Sequence, residues 1–254
     1  LSRPEASLPT RARAKALDGA GVLALNGISM DGAAAGSHYE EMLAIGHELG
    51  DKQILGVAYN GLGHVLHFEG EDEQSRPFLE QGLAFAREAG DRWEIAFSLT
   101  ALAVIQQRSS GAEWPLYEES LAIRREVGDR ISIANSLRNM AATASYYGDY
   151  GRARALTEEA VSLLRELGQT GHLRMLFACG DLARVQGDYA AARSYFEKLR
   201  AVAPKPQRNL EWTTDDGLYG LGELARDQGE LETARALLEE CLASWRELGV
   251  VPVW

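Results

Sequence analysis

The stretch YYGDYGRARALTEEAVSLLRELG (Tyr146 to Gly168) recurs along this chain in altered form, as FEGEDEQSRPFLEQGLAFAREAG (68–90), RVQGDYAAARSYFEKLRAVAPK (184–205) and RDQGELETARALLEECLASWRELG (226–249). The glycines of ELGDK, EAGDR, EVGDR and ELGQT fall at Gly50, Gly90, Gly128 and Gly168, in steps of 40, 38 and 40 residues. A second series, Gly70, Gly148, Gly187 and Gly229, lies between them, so each period has two halves. A period of this length marks a stacked repeat architecture, because one helix pair exposes an apolar stripe on each flank and only a neighbouring pair covers it.

Each half has the spacing of a helix. Ala153, Leu156, Ala160, Val161, Leu163, Leu164 and Leu167 recur three, four and seven apart and share one side, leaving Arg152, Glu158, Glu159, Arg165 and Glu166 mostly outside it. Strand alternation is absent. Asp149 and Asp188 suit N-caps, whose carboxylates accept from the orphan amides of the first turn. The glycines after ELG and EAG suit the left-handed position that ends a helix. Small residues recur where helices should approach closely, at Gly21, Gly63, Ala103, Ala141, Gly180 and Gly222.

The segment Leu176, Gly180, Ala183, Gly187, Asp188, Tyr189, Ala192, Phe196, Leu199 and Pro204 resembles the tetratricopeptide repeat at its signature spacings, in a longer form with a period near 40. The resemblance runs from about Arg11 to Gly249 and implies an all-α, right-handed solenoid of about six helix pairs. The expected repeats are 11–50, 51–90, 91–128, 129–168, 169–207 and 208–249, forming one solenoid with a tail at 250–254. The pattern is also similar to repeat segments of large bacterial signalling ATPases, including LuxR-type transcriptional regulators. The chain begins at Leu1 rather than Met, which reads as a segment excised from a longer parent.

Irregular points are expected in the first three repeats. NGISMDGAAAGSHYEEM carries two extra residues and should turn more loosely; RSSGAEWPLYEES is two residues short, with Ser109 or Ser110 as the expected cap. Pro77 and Pro115 hold equivalent positions, and helices should start near them or kink there.

Net charge of −11 argues against a polyanion partner, since nonspecific nucleic-acid binding needs clustered Lys and Arg. Cys179 and Cys241 sit in helical patterns and make no disulfide framework, which fits a reducing, cytoplasmic setting. No apolar run approaches the ~18 residues that span a bilayer, so no membrane partner is expected.

No phosphate loop, H-E-x-x-H or C-x-x-C occurs, and no catalytic residue or cofactor is expected. The G-x-G instances Gly19/Gly21, Gly61/Gly63 and Gly220/Gly222 read as close helix packing. His64 and His67, three apart, could meet one metal, but a third ligand beyond Glu69 or His38 is not evident and no metal is expected. Glu40/Glu41, Glu118/Glu119 and Glu158/Glu159 read as periodic surface charge. Trp93 and Trp212 are repeat-equivalent and read as inter-repeat packing.

The resemblance further implies a concave groove lined by first helices. Carried onto this sequence, its ligand-facing positions are Asn60, His64, His67 and Phe68, then Thr100, Gln107 and Arg108, then Asn135, Arg138, Asn139 and Tyr146. Later repeats add Arg174, Phe177, Asp181 and Arg184, then Tyr219, Glu223 and Arg226. These residues are not repeat-periodic, and that distinguishes them from packing positions. Asn and Arg suit hydrogen bonding to peptide backbone or carboxylates. The expected function is a non-catalytic protein- or peptide-binding module of a larger regulator. Two alternatives are a small-molecule effector-sensing domain controlling a tethered ATPase or DNA-binding domain, and self-association through the ends or the VVPVW tail.

Overall fold

The computed structural model describes residues 8–26, 31–106, 111–168, 171–205 and 213–248. Every regular element among them is helical. The helices are α1 (Arg11–Asn26), α2 (Gly32–Leu49), α3 (Lys52–Phe68), α4 (Asp72–Ala89), α5 (Arg92–Gln106) and α6 (Trp114–Val127). They continue with α7 (Arg130–Tyr146), α8 (Tyr150–Glu166), α9 (Gly171–Val185), α10 (Tyr189–Val202), α11 (Thr214–Asp227) and α12 (Leu231–Leu248). The six expected helix pairs are present. None of these helices is long and apolar enough to cross a membrane.

The chain divides into two compact units, Leu1–Asp129 and Arg130–Trp254. Within the first, α1 to α6 pack in chain order, each on the next; within the second, α7 to α12 do the same. First helices of successive pairs also touch, α1 with α3, α3 with α5, and α9 with α11. Odd-numbered helices therefore form an inner row in each of these stretches.

The Gly-Asp pair explains how one helix stops and another starts within two residues. Gly90 adopts φ 69°, a left-handed conformation that glycine takes without steric cost, and it donates to Arg87 O at 3.2 Å. The Asp91 amide then donates to Ala86 O at 3.0 Å, closing the end of α4. The Asp91 carboxylate in turn accepts from Glu94 N at 3.0 Å, capping α5. Asp51 does the same for α3, and Asp149 and Asp188 cap α8 and α10 as expected, accepting from Arg152 N and Ala191 N at 3.1 Å.

Packing between neighbouring helices, within a pair and between pairs, sets small residues against large ones. A Cβ placed on Gly21 or Gly61 would fall within 2.7 Å or 2.3 Å of the Tyr39 ring, and one on Gly180 within 2.5 Å of the Phe196 ring. A Cβ on Gly63 or Gly222 would meet Leu79 or Leu238 at 2.6 and 2.8 Å. Gly19 differs from the expectation: it is exposed, and nothing lies within 4 Å of where its Cβ would be, so packing does not require it.

Large apolar side chains fill the remaining space. Leu79, Leu99 and Tyr117 are buried in the first unit, and Leu137, Phe196 and Leu224 in the second. Burying each leucine or phenylalanine stabilises by about 1.5–3 kcal/mol.

Charge pairs recur with the same period. Lys52, Arg92 and Arg130 open α3, α5 and α7, and they pair with Glu88, Glu126 and Glu166 near the ends of α4, α6 and α8. Glu41 and Glu119 pair with Arg13 and Arg87, in keeping with a solvated charge pattern. Pro115 lies in the first turn of α6, where its missing amide costs nothing. Pro77 behaves otherwise. It sits inside α4, which starts at Asp72. Ser109, Ser110, residues 27–30 and the VVPVW tail lie outside the described residues.

Candidate functional site

The inner row of the first unit walls a cavity of about 540 Å³. Asp18, Val22 and Leu25 enter from α1, Val57, Asn60, Gly61 and His64 from α3, and Trp93, Glu94 and Phe97 from α5. Tyr39 of α2 reaches in where Gly21 and Gly61 leave room, and the α5 N-cap Asp91 completes the lining.

A buried polar strut supports one wall. Asn60, 1% exposed, donates through Nδ2 to Glu94 Oε1 at 2.6 Å and lies 2.7 Å from Ser98 Oγ. The Ser98 hydroxyl donates to the Glu94 carbonyl one turn back at 2.8 Å. Glu94 is 4% exposed, and burial raises its carboxyl pKa to about 7 against the lowering effect of the Asn60 hydrogen bond, with Asp91 and Asp18 raising it further. Burial also raises Asp18. Burial first, then the charges of Asp18 and Glu94, hold the Tyr39 hydroxyl protonated well above its ordinary range.

The same two helices, α3 and α5, also give the cavity an aromatic surface. Trp93 stacks on Phe97 with centroids 5.7 Å apart and planes 11° apart, and His64 lies 6.1 Å from Phe97. Burial, then His67, lowers the His64 pKa, so the ring is neutral near pH 7. Trp93 is 52% exposed at the cavity, which corrects the expectation that inter-repeat packing accounts for it. The signal for Trp93 and Glu94 was available as broken periodicity. They stand where the second repeat has Gln53 and Ile54 and the fourth has Ile131 and Ser132.

The remaining candidates separate. His64 lines the cavity, whereas His67 is tied through Nδ1 to Asp72 at 2.5 Å. Among the described residues no group of three or more His, Cys, Asp or Glu is placed to hold a metal. Arg108, Gln107 and Trp212 lie outside the described residues.

The second unit carries its own set. Asn135 and Tyr146 are exposed on α7, with Arg138 and Asn139 half-buried beside them. Burial lowers the Arg138 pKa, and the positive charge of the exposed Arg174 on α9 lowers it further. Among the described residues neither of these two guanidiniums has a carboxylate partner. Arg184 is committed differently. It pairs with Asp181 at 2.7 Å and with Asp227 of α11, joining α9 to α11. Arg226 likewise pairs with Glu223 at 2.7 Å. Phe177 stacks on Tyr219 at 6.4 Å.

A tetratricopeptide repeat family model matches residues 218–248. The fold aligns with the crystal structure of BtubC (BKLC) from P. vanneervenii at a TM-score of 0.69, with 18% identity over 87% of this chain and 92% of that one. The fold is a tetratricopeptide-repeat array. Two other arrays of similar shape were solved with ligands. A Rap protein complexed with Competence and Sporulation Factor aligns at a TM-score of 0.64 and 12% identity, over 96% of this chain and 78% of that one. NprR in complex with its cognate peptide NprX aligns at 0.57 and 16%, over 96% and 70%. At these identities the likeness shows the fold alone. No curated protein matches the chain at a significant level.

Proposed function

We propose that this tetratricopeptide-repeat array is a non-catalytic module that binds a protein or peptide segment along its first helices, in the cytoplasm, as part of a larger signalling or transcriptional regulator. The observation that carries the reading is the inner row itself. Stacking demands the same residue at each repeat, yet the first-helix positions that are not fully buried run Gln53, Trp93 and Ile131, and Val57, Phe97 and Asn135. Variation on a face that packing does not dictate is what recognition of an irregular ligand requires. NprR, solved in complex with its cognate peptide NprX, has a similar fold, which supports the reading. Two buried free thiols, Cys179 and Cys241, fit a reducing compartment.

Arg138 and Arg174 are the residues of the second unit suited to a peptide carboxylate, because each guanidinium presents a fork of donors. Peptides enriched from a random library on the immobilised chain are titrated calorimetrically against wild type, Arg138→Ala and Arg174→Ala. Each variant should weaken binding by about tenfold or more, the equivalent of one charge-assisted hydrogen bond. Unchanged affinity in both variants removes these arginines from the site.

The aromatic wall of Tyr39, Trp93 and Phe97 also favours a second reading, a small-molecule effector that acts on a tethered ATPase or DNA-binding domain. Thermal stabilisation by metabolites, with none by peptides, would distinguish it.

A further inference from the structure

The cavity of the first unit is chemically one-sided. Asp18, Asp91 and Glu94 line it, no Lys or Arg does so among the described residues, and burial keeps its histidine neutral. The three carboxylates are not equivalent. Asp91 already accepts from Glu94 N and, at 2.7 Å, from Gln53 Nε2, so it contributes charge more than free lone pairs. Asp18 has no hydrogen-bond or ion-pair partner among the described residues. Glu94 is the informative one. At 4% exposure it gives one oxygen to Asn60, while the other has no protein donor among the described residues and the side chain lines the cavity.

A carboxylate taken out of water without a cation is destabilising. Helix stacking does not require one here, because Ile54 and Ser132 occupy the equivalent positions in neighbouring repeats. The stacked Trp93 and Phe97 rings add a second feature that attracts positive charge, since the face of an aromatic ring carries negative potential. The two features face one space. A volume of about 540 Å³ admits a long basic side chain with part of its backbone, and the carboxylates repel an acidic one.

We propose that this cavity receives the guanidinium or ammonium of an arginine or lysine side chain of the bound peptide, held between the Glu94 and Asp18 carboxylates and the Trp93–Phe97 stack. This rests on the peptide-binding reading above and specifies the peptide's chemistry. Glu94 and Asp18 supply the charge, Asn60 fixes the Glu94 carboxylate, and Trp93 covers the bound cation.

The test uses two probes on the full chain. The first is Nα-acetyl-arginine methylamide compared with the citrulline analogue, which has nearly the same shape and no charge, titrated by NMR against wild type and the double variant Asp18→Asn, Glu94→Gln. The arginine probe should bind wild type at least tenfold more tightly than the citrulline probe, and the double variant should lose that preference. The comparison of the two probes on wild type needs no variant, so it holds even if the substitutions unfold the chain. The second probe is a random heptapeptide library enriched on the immobilised protein. Wild type should select a basic residue at one register position and the double variant should not. Equal binding of the arginine and citrulline probes, or peptides enriched without a basic residue, overturns the proposal while the peptide reading stands. Arginine-selective binding with no peptide enriched keeps the cation site and overturns the peptide reading. Silence from both probes overturns both.

Discussion

Asn60 of α3 donates its side-chain amide to the Glu94 carboxylate of α5 at 2.6 Å, in a contact where both residues are almost fully buried. Two first helices are thus joined by a polar strut, although the position of Glu94 holds Ile54 and Ser132 in neighbouring repeats. The strut positions a carboxylate at a cavity wall, and burial raises that carboxylate's pKa from 4.5 to about 7.

The sign of the resulting pH dependence is fixed. A carboxyl whose folded pKa is raised binds its proton more tightly in the native state, so its stabilising contribution is complete below about pH 4.5 and is lost as pH rises through about 7. Glu94→Gln keeps an acceptor for Asn60 and removes the titration. The variant should match wild type near pH 4.5 and exceed it at pH 8 by up to roughly 3 kcal/mol. Urea unfolding at the two pH values checks this; parallel pH profiles would remove Glu94 from the account.

Two glycines of one motif type should respond in opposite directions. Gly61→Ala forces a Cβ to within 2.3 Å of the Tyr39 ring, and the overpacking should cost about 1–3 kcal/mol. Gly19→Ala meets nothing within 4 Å and should stabilise α1 by roughly 1 kcal/mol, the ordinary helix-propensity gain. Thermal melts of the two variants are sufficient.

Arg184 bridges two carboxylates on different helices, Asp181 and Asp227; burial raises the Asp227 pKa, but the hydrogen bonds and charges of Arg184 and then Arg226 together outweigh it, so the pKa is lowered. A lowered carboxyl pKa gives stability that is present above the unfolded pKa near 3.8 and lost as pH falls through the folded value. Arg184→Met should therefore lower the melting temperature at pH 7, and the deficit should shrink toward pH 3. A deficit unchanged by pH assigns the loss to packing of the arginine stem.

Burial pushes the thiols of Cys179 and Cys241 up to about 12. Since the thiolate is the reactive species, neither should react with a thiol reagent at pH 8 in the native chain, and both should react in urea. Rapid native labelling would contradict the packing of α9 or α12.

Glycines, caps and helix pairing were legible from the sequence because each has a local cause. Gly90 must turn left-handed and Asp91 must cap α5, whatever the rest of the chain does. Residues whose role depends on neighbours across repeats were legible only in part. Asn60 was expected on the ligand-facing strip, but its amide is turned into the helix interface by Glu94, a partner 34 positions away. Trp93 was assigned to packing because Trp212 shares its repeat position, yet the cavity beside α3 leaves half of it exposed. Pro77 lies within α4, although local rules favour a helix start near it.

The most direct measurement of the central claim is a backbone NMR map of the chain titrated with a library-selected peptide. Shifts should concentrate on inner-row residues of the first helices, with His64, Trp93 and Phe97 in one unit and Arg138 and Arg174 in the other. Outward second-helix residues such as Glu80, Glu118 and Glu159 should stay unmoved. Shifts confined to those outward residues would contradict the assignment of recognition to the first helices.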